Sequence, residues 1–577
     1  MNTIITHKVN CRDCFRCVRS CSVKAIGINK GHARVIEERC ILCGRCVVEC
    51  PQNAKQFDGQ LPKIIAAIES GKRVVFSLAP SYIAAFPEYT LGDLSAVLTT
   101  AGVSAVAETA AAADIISAIY GTYIKNDGNK PLQNTVISSC CPVVVNIIER
   151  YYPKLINNLA PVISPMLAHA KLIKKQYGQD TFVVFAGPCI AKIAEARDSG
   201  SSQVDAVITF EHLREWLKQY PITMSSPLKS KYTQPPLATS RTGAGRYFPV
   251  AGGIVHPFIG PDVNEDVISV DGIENCIEVF EGLTSKSFAP KFIEALACPG
   301  GCISGPAIGS NQLMQSKRNK VLFYARNDAT SRGQQVAVAV REELLRTYDA
   351  KPVNAAKPTE DQVIEILKQT GKFTVKDEKN CGACGYNTCR DKAVAVFQGL
   401  AEIDMCVPYM RSKAESFANI IVENSLNAII AVNEKMVLKE FNPAVKRMFG
   451  VTKEIYKGMS LTELFDCSDF IAAAKFGHKV IGKRVEYQVY GIITEQMIIP
   501  VPEHSLVIAI ITDVTAHERR NRELQQMKLE TVEKATEIIN KQMHVAQEIA
   551  GLLGETTAET KSALLELIML IKGKGET

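Results

Sequence analysis

Thr135-Val136-Ile137-Ser138-Ser139-Cys140-Cys141-Pro142 is a short β-branched run that ends in a cysteine-bearing turn. The pattern returns as Phe182-Val183-Val184-Phe185-Ala186-Gly187-Pro188-Cys189. A third turn, Leu296-Ala297-Cys298-Pro299-Gly300-Gly301-Cys302, carries two more cysteines. In an open parallel sheet, ligands gather beyond the carboxyl ends of the strands. Turns far apart in sequence can therefore deliver several thiolates to one buried point, and four convergent thiolates suit an iron–sulphur cubane. Around these steps, residues 60–348 alternate strand and helix. Residues 73–78 read as a buried strand ending at Ala79-Pro80-Ser81. Residues 103–107 read as another, before an Ala-rich helix from about Thr109, and Val136, Val183 and residues 204–208 centre three more. Such alternation implies an α/β fold with parallel sheets and helices on both faces.

The rest of the composition narrows the class. A chain of 577 residues has room for about four domains. No apolar run reaches about eighteen residues, so no membrane span is expected. The start, Met1-Asn2-Thr3-Ile4-Ile5-Thr6-His7-Lys8, lacks an apolar signal core, which makes a cytoplasmic location the default expectation. Nineteen cysteines in such a chain call for an explanation other than disulfides. All but Cys140, Cys276 and Cys467 fall into ligand-like groups. The formal charge of +6 counts those cysteines as neutral. Cubanes held by thiolates are net anions and offset it, so no nucleic-acid partner is expected.

Residues 1–59 contain Cys11-x2-Cys14-x2-Cys17-x3-Cys21 and Cys40-x2-Cys43-x2-Cys46-x3-Cys50-Pro51. This resembles the bacterial two-cluster ferredoxin, in which three close cysteines wrap one cubane and the fourth crosses to the other. The resemblance implies that Cys11, Cys14, Cys17 and Cys50 hold one 4Fe-4S cluster and that Cys40, Cys43, Cys46 and Cys21 hold the second. Ser22 stands where a proline usually follows the first run. Zinc is the competing reading, although zinc sites rarely interleave two such quartets.

Ala79-Pro80-Ser81, Ser139-Cys140-Cys141-Pro142, Pro188-Cys189-x2-Lys192-x2-Glu195 and Ala297-Cys298-Pro299-Gly300-Gly301-Cys302 resemble, in order, the motif set of the iron–iron hydrogenases. Their active site, the H-cluster, is a cubane joined through one cysteine to a two-iron unit with carbon monoxide, cyanide and an azadithiolate bridge. The resemblance implies that Cys141, Cys189, Cys298 and Cys302 hold the cubane, with Cys302 bridging to the two irons. It gives Cys140 the proton transfer and places Lys192, Pro80, Ser81 and Ser164 around the cofactor. A thiol titrates near enough to neutral pH to pass protons both ways, and a cationic Lys beside a cyanide makes a strong charge-assisted contact. The competing readings are a small buried apolar residue for Cys140 and a surface ion pair for Lys192.

Departures from that pattern point to slow turnover. Highly active relatives carry Met where this chain has Gly187 and Leu296, and Gln where it has Met166. The usual Gly-rich Gln-Pro tail is replaced by Ser304-Gly305-Pro306-Ala307. The carboxylates and serine of the usual proton path fall, by approximate alignment, at Tyr120, Tyr123 and Ala160.

The remainder reads as wiring and output. Residues 349–412 comprise a linker and Cys381-x2-Cys384-x4-Cys389-x16-Cys406, which looks like the single-cluster module of corrinoid iron–sulphur proteins, with zinc as the alternative. A helix from Arg390 is expected to span the gap to Cys406. Residues 413–516 resemble a PAS sensory domain: a strand over 427–433, a turn at Glu434-Lys435, a second strand, a helix from Pro443, then three strands to Asp513-Val514-Thr515. Nothing around His478 or His504 demands haem. Residues 517–577 read as two helices, the first with a heptad seam through Val532, Ala535, Ile539, Ala546, Ile549 and Leu553, interrupted by Gln542, and the second over 561–571; the pair suggests a hairpin that forms a homodimer. His544 lacks the following box of a phosphorylated kinase histidine. The sensory branch of the hydrogenases has this domain order, which implies hydrogen and protons as substrates, a ferredoxin-like redox partner and a protein phosphatase or kinase as signalling partner. A metabolic hydrogenase and an iron–sulphur assembly protein lacking the two-iron unit are the alternatives.

Overall fold

The computed structural model describes residues 3–57, 59–125, 135–198, 203–220, 243–256, 266–327, 342–449, 454–553 and 562. The chain divides into two compact units, Met1–Tyr409 and Met410–Thr577.

In the first unit, Ile4–Thr6 pairs antiparallel with Lys55–Phe57, and Ile26–Asn29 with His32–Val35. These small pairs enclose the eight N-terminal cysteines. Beyond them lie two parallel sheets. One has the order Ala105–Glu108, Val74–Leu78, Phe182–Gly187, Ala206–Thr209. The other has the order Val267–Asp271, Phe292–Leu296, Val136–Ile137. Every residue of Val74–Leu78, Phe182–Gly187 and Phe292–Leu296 is buried. That burial is why these segments are mostly apolar rather than alternating, with Ser77 and Glu294 as the exceptions. The three strand-then-cysteine steps are thus shared between two sheets, Phe182–Gly187 in one and the other two steps in the second.

The turns after the strands run directly into helices. Cys141 is the N-cap residue of helix Pro142–Tyr151 and Ser164 that of Pro165–Tyr177, each followed by proline at the first helical position. Proline is favoured there, because its missing N–H has no intrahelical acceptor to find. Helix Cys389–Phe397 opens on a capping box between Thr388 and Asp391. It stops well short of Cys406, which corrects the sequence expectation. Gly399 (φ +67°) turns the chain, and a 3-10 turn, Ile403–Met405, leads into Cys406. One turn of α-helix too many would carry the cysteine past its partners.

The second unit is a five-stranded antiparallel sheet in the order Leu438–Phe441, Ala428–Asn433, Leu506–Asp513, Ile492–Val501, Val480–Tyr487. Strict inside–outside alternation over Ala428–Asn433 marks a sheet with one covered face. Its core gathers Phe449, Phe465, Phe470, Ile430, Ile498 and Ile511. The Thr515 hydroxyl accepts from the Ile493 amide at 2.8 Å, and the Thr515 amide donates to Asp513 at 2.9 Å, so the exit from the sheet is fixed. The 39-residue helix Thr515–Leu553 follows, with heptad residues Val532, Ile539 and Ala546 half-buried. The second helix expected over 561–571 lies outside the described residues, apart from 562. Among the described residues, no helix is long and apolar enough to cross a membrane.

Candidate active site and its iron–sulphur wiring

The carboxyl ends of Val74–Leu78, Phe182–Gly187, Val136–Ile137 and Phe292–Leu296 meet at one cavity of roughly 850 Å³, counting its mouth. Cys141, Cys189, Cys298 and Cys302 line it together, and so do Cys140, Lys192, Pro80 and Ser81. The Ala79-Pro80-Ser81 turn is tied across the sheet by the Ala79 amide on the Ala186 carbonyl at 2.9 Å. Gly301 (φ +94°) brings Cys302 inward; a side chain there would meet the Pro249 carbonyl at 2.4 Å. Ser164 is the exception among the expected cofactor-binding residues. Its neighbours Pro165 and Met166 line the cavity, whereas Ser164 is fully buried behind them with its hydroxyl unpartnered.

The donor chemistry fits a metal cluster. Burial pushes the Cys189 thiol up to about 11 and Cys302 up to about 12, with Cys141 pushing both further. Cys298 is raised by burial and then by Cys189, Cys302 and Cys141. Sulphurs so placed are poor hosts for four negative charges unless a cationic centre stands among them.

Lys192 reaches the cavity from helix Ala191–Asp198. Its Nζ donates to Glu195 at 2.6 Å and to the Cys140 carbonyl at 3.3 Å. Burial pushes its ammonium down, but Glu195, Cys189 and Cys140 together more than offset that, and the net shift is upward. The Lys192–Glu195 pair is buried at the cavity, not on the surface. Gly187 has its own explanation: a side chain there would lie 2.7 Å from the ring of Phe185, which lines the cavity.

Tyr120 is fully buried, and burial, then Cys140, raise its hydroxyl far above the usual range. It accepts from the Ser139 amide at 3.1 Å and stays a neutral hydrogen-bonding group rather than an acid. Ala160 is buried as well and Tyr123 is half-buried. Sequence reasoning overlooked Glu294. It is wholly buried in strand Phe292–Leu296, and its carboxylate accepts from the amides of Gly252 at 2.8 Å and of Ile254 and Val255 at 3.1 Å. Burial pushes it up to about 7, against those hydrogen bonds and one from Ser269. It lies within electrostatic reach of Cys140 and Cys302. The signal was available, since one carboxylate stands in the apolar run Phe292-Ile293-Glu294-Ala295-Leu296. Cys276, in contrast, is buried with its thiol on the Leu296 carbonyl at 3.6 Å and serves packing.

The other cysteines also assemble into sets. Cys17 faces Cys11, Cys14 and Cys50, and those four line one pocket. Cys46 faces Cys43, Cys40 and Cys21. In the third module, Cys384 faces Cys406 and Cys381, and buried Lys392 faces Cys406, Cys384 and Cys389. The Lys372 ammonium donates to Cys406 Sγ at 3.3 Å. The structure thus sets Cys11, Cys14, Cys17 and Cys50 around one pocket and Cys21 beside Cys40, Cys43 and Cys46.

A module with two cysteine quartets joined to an α/β domain with a four-thiol cavity has the donor sets of an iron–sulphur protein. Residues 72–306 match the family described as iron only hydrogenase large subunit, C-terminal domain. Residues 10–60 match a 4Fe-4S dicluster domain, and 377–408 a putative Fe-S cluster domain. Among curated proteins, the NADP-reducing hydrogenase subunit HndD of Solidesulfovibrio fructosivorans is 27% identical over 399 residues, covering 56% of this chain and 67% of that one. Iron hydrogenase 1 of Clostridium pasteurianum is 24% identical over 420 residues, covering 54% and 72%. The cytosolic Fe-S cluster assembly factor NAR1 of Encephalitozoon cuniculi is 28% identical over 192 residues, covering 30% and 52%. Among solved structures, the FeFe-hydrogenase HydA(deltaEFG) aligns at 18% identity and TM-score 0.40, covering 51% of this chain and all of that one. The PAS domain of an HTR-like protein from Haloarcula marismortui aligns at 16% identity and TM-score 0.15, covering 18% and 96%.

Proposed function

We propose that this chain is a hydrogen-sensing iron–iron hydrogenase that interconverts hydrogen with protons and electrons slowly, and that its 413–516 segment is a PAS domain that receives the redox signal. The observation that carries this reading is the single cavity shared by Cys141, Cys189, Cys298, Cys302, Cys140 and Lys192. In this reading those four cysteines hold the cubane of an H-cluster, Cys302 bridges to its two-iron unit, and the other three quartets hold 4Fe-4S clusters. When bound, the two-iron unit supplies an open metal site beside a base, where dihydrogen is split. The chain does the rest. Lys192 holds a positive charge against the anionic ligands, with Pro80 and Ser81 forming the adjoining wall. Cys140 carries the proton at its Sγ. Phe185, Leu296 and Met166 give the cavity an apolar wall. Electrons leave through the N-terminal cysteine quartets to a ferredoxin-like carrier. A slow centre suits a sensor, whose task is to report hydrogen rather than consume it, and the Met410–Thr577 unit would pass that report to a phosphatase or kinase, as a homodimer. The segment boundaries 1–59, 60–348, 349–412, 413–516 and 517–577 belong to the same proposal.

Infrared spectroscopy of the matured protein tests the centre: carbonyl and cyanide stretches are expected. Cubanes without those bands would leave the assembly-factor reading, which the likeness to NAR1 favours. Hydrogen–deuterium exchange over 420–550 tests the sensing, with a difference expected between hydrogen and argon. Equal exchange, with turnover as fast as in catalytic relatives, would make the protein a metabolic hydrogenase.

A further inference from the structure

The inner N-terminal quartet, Cys21, Cys40, Cys43 and Cys46, has three neighbours. The first is the active-site cavity. Gly44 (φ +74°), next to Cys43, is pressed so closely that a side chain there would lie 2.7 Å from Ile190 and 2.8 Å from Pro306. Ile190 follows Cys189 directly, and Cys43, Cys141 and Cys189 pack against one apolar cluster. The second neighbour is the outer quartet: helix Arg16–Ser20 carries Cys17 and ends at Cys21, linking the two cages.

The third neighbour is the Cys381 module. The Lys24 ammonium, three residues past Cys21, donates to the Gly385 carbonyl at 2.8 Å and the Val18 carbonyl at 3.3 Å. It also lies 5.9 Å from the centre of the Tyr386 ring. Arg19 donates to the Ala383 carbonyl at 3.1 Å and the Cys14 carbonyl at 3.0 Å. Backbone fixes the same face, with the Ile28 amide on the Leu400 carbonyl at 2.9 Å and the Lys30 amide on the Glu402 carboxylate at 2.6 Å. Gly385 (φ +96°) sits against Val18, where a side chain would come within 2.8 Å. Tyr386 is 3% exposed and faces both Cys384 and Cys21. Lys24 faces the same two thiols.

We infer that the Cys21–Cys40–Cys43–Cys46 cage is a three-way junction in the electron path, and that Lys24 is the positioning cation between this junction and the Cys381 module. The inference rests on the reading of each quartet as a 4Fe-4S cluster. Oxidation of hydrogen releases two protons and two electrons. Each electron passes singly to the junction, so that one centre is oxidised as its neighbour is reduced and no atom moves. From the junction it leaves either through the outer quartet, towards a soluble carrier, or through the Lys24–Tyr386 contact into the Cys381 module. Signal and turnover then share one wire as far as the junction and separate there. The Lys24 charge favours an added electron on either side of the contact.

The test is an electron-paramagnetic-resonance redox titration of the full-length protein, comparing wild type with Lys24→Met, Lys24→Arg and Cys384→Ser. Lys24→Met is expected to lower two midpoints together, each by up to a ten-fold change in the reduced-to-oxidised ratio at fixed potential, or 59 mV for one electron. One of them is the cluster lost in Cys384→Ser, and Lys24→Arg restores both. In the wild type, independently of Lys24, spin coupling to the Cys384-dependent signal should broaden the junction's signal and vanish in Cys384→Ser. No broadening that Cys384→Ser removes, or a shift in only one midpoint, would overturn the junction. No loss of iron or signal in Cys384→Ser would overturn the cluster reading beneath it, an outcome plainly different from the other two.

Discussion

Replacing Cys140 by alanine is expected to slow hydrogen turnover by about 10²–10⁴-fold, the range typical of a lost proton-transfer group, while iron content and infrared bands persist. Cys140 lines the cavity beside a proposed ligand but is not itself one of the converging four. Burial pushes its thiol well above the usual range, Cys141 and Cys302 push it further, and Lys192 pulls it back. The thiol therefore rests protonated and yields its proton only as charge on the cavity side changes. Serine keeps the size and a hydrogen bond but not the acidity, so Cys140→Ser should be almost as slow. Cys276→Ala is the control: an equally buried thiol, held on the Leu296 carbonyl, whose loss should weaken folding without touching the proton step. Undiminished turnover in Cys140→Ala would send protons by another route.

What could be read beforehand divides by range. The strand-then-cysteine steps were legible because β-branched runs, turn glycines and prolines act over a few residues. The quartets were legible because cluster spacing is local too. Which strands pair was not. Val136–Ile137 is two residues long, and its partner Phe292–Leu296 lies more than 150 positions away, at a distance no local pattern encodes. Val267–Asp271 escaped notice because it is only half-buried and lacks a continuous apolar run. The expected helix to Cys406 followed from good helix formers after Arg390, overridden by Gly399 and by the need to return Cys406 to its quartet. Ser164 was placed by its neighbours Pro165 and Met166, one rotation around the chain from where its side chain points. Glu294 was missed for a different reason: attention to cysteines left the anomalous residue of the third strand unweighed.

Glu294→Gln is therefore the change with most to teach about protons. The buried carboxyl lies within electrostatic reach of Cys140 and Cys302 and bonds to Ser269, an exposed residue on the neighbouring strand. A group so connected is a candidate proton relay. With Glu294 raised to about 7 by burial, proton reduction needs its acid form and should fall as pH rises through that value, whereas hydrogen oxidation needs the carboxylate and should rise. Glutamine cannot titrate. Turnover should drop by about 10²-fold, the lower end for such groups, and both limbs near pH 7 should flatten. Stability reports the same group with its own sign. A carboxyl raised from 4.5 to about 7 adds stability that is complete below 4.5 and lost as pH rises through about 7. The variant should lose that slope in a urea titration series. It should also pay about 1–3 kcal/mol at every pH, because an amide cannot accept from Gly252, Ile254 and Val255 as a carboxylate does. A purely structural glutamate would change stability and its pH slope but leave both rate limbs intact, so flattened limbs are the result that assigns Glu294 to proton transfer.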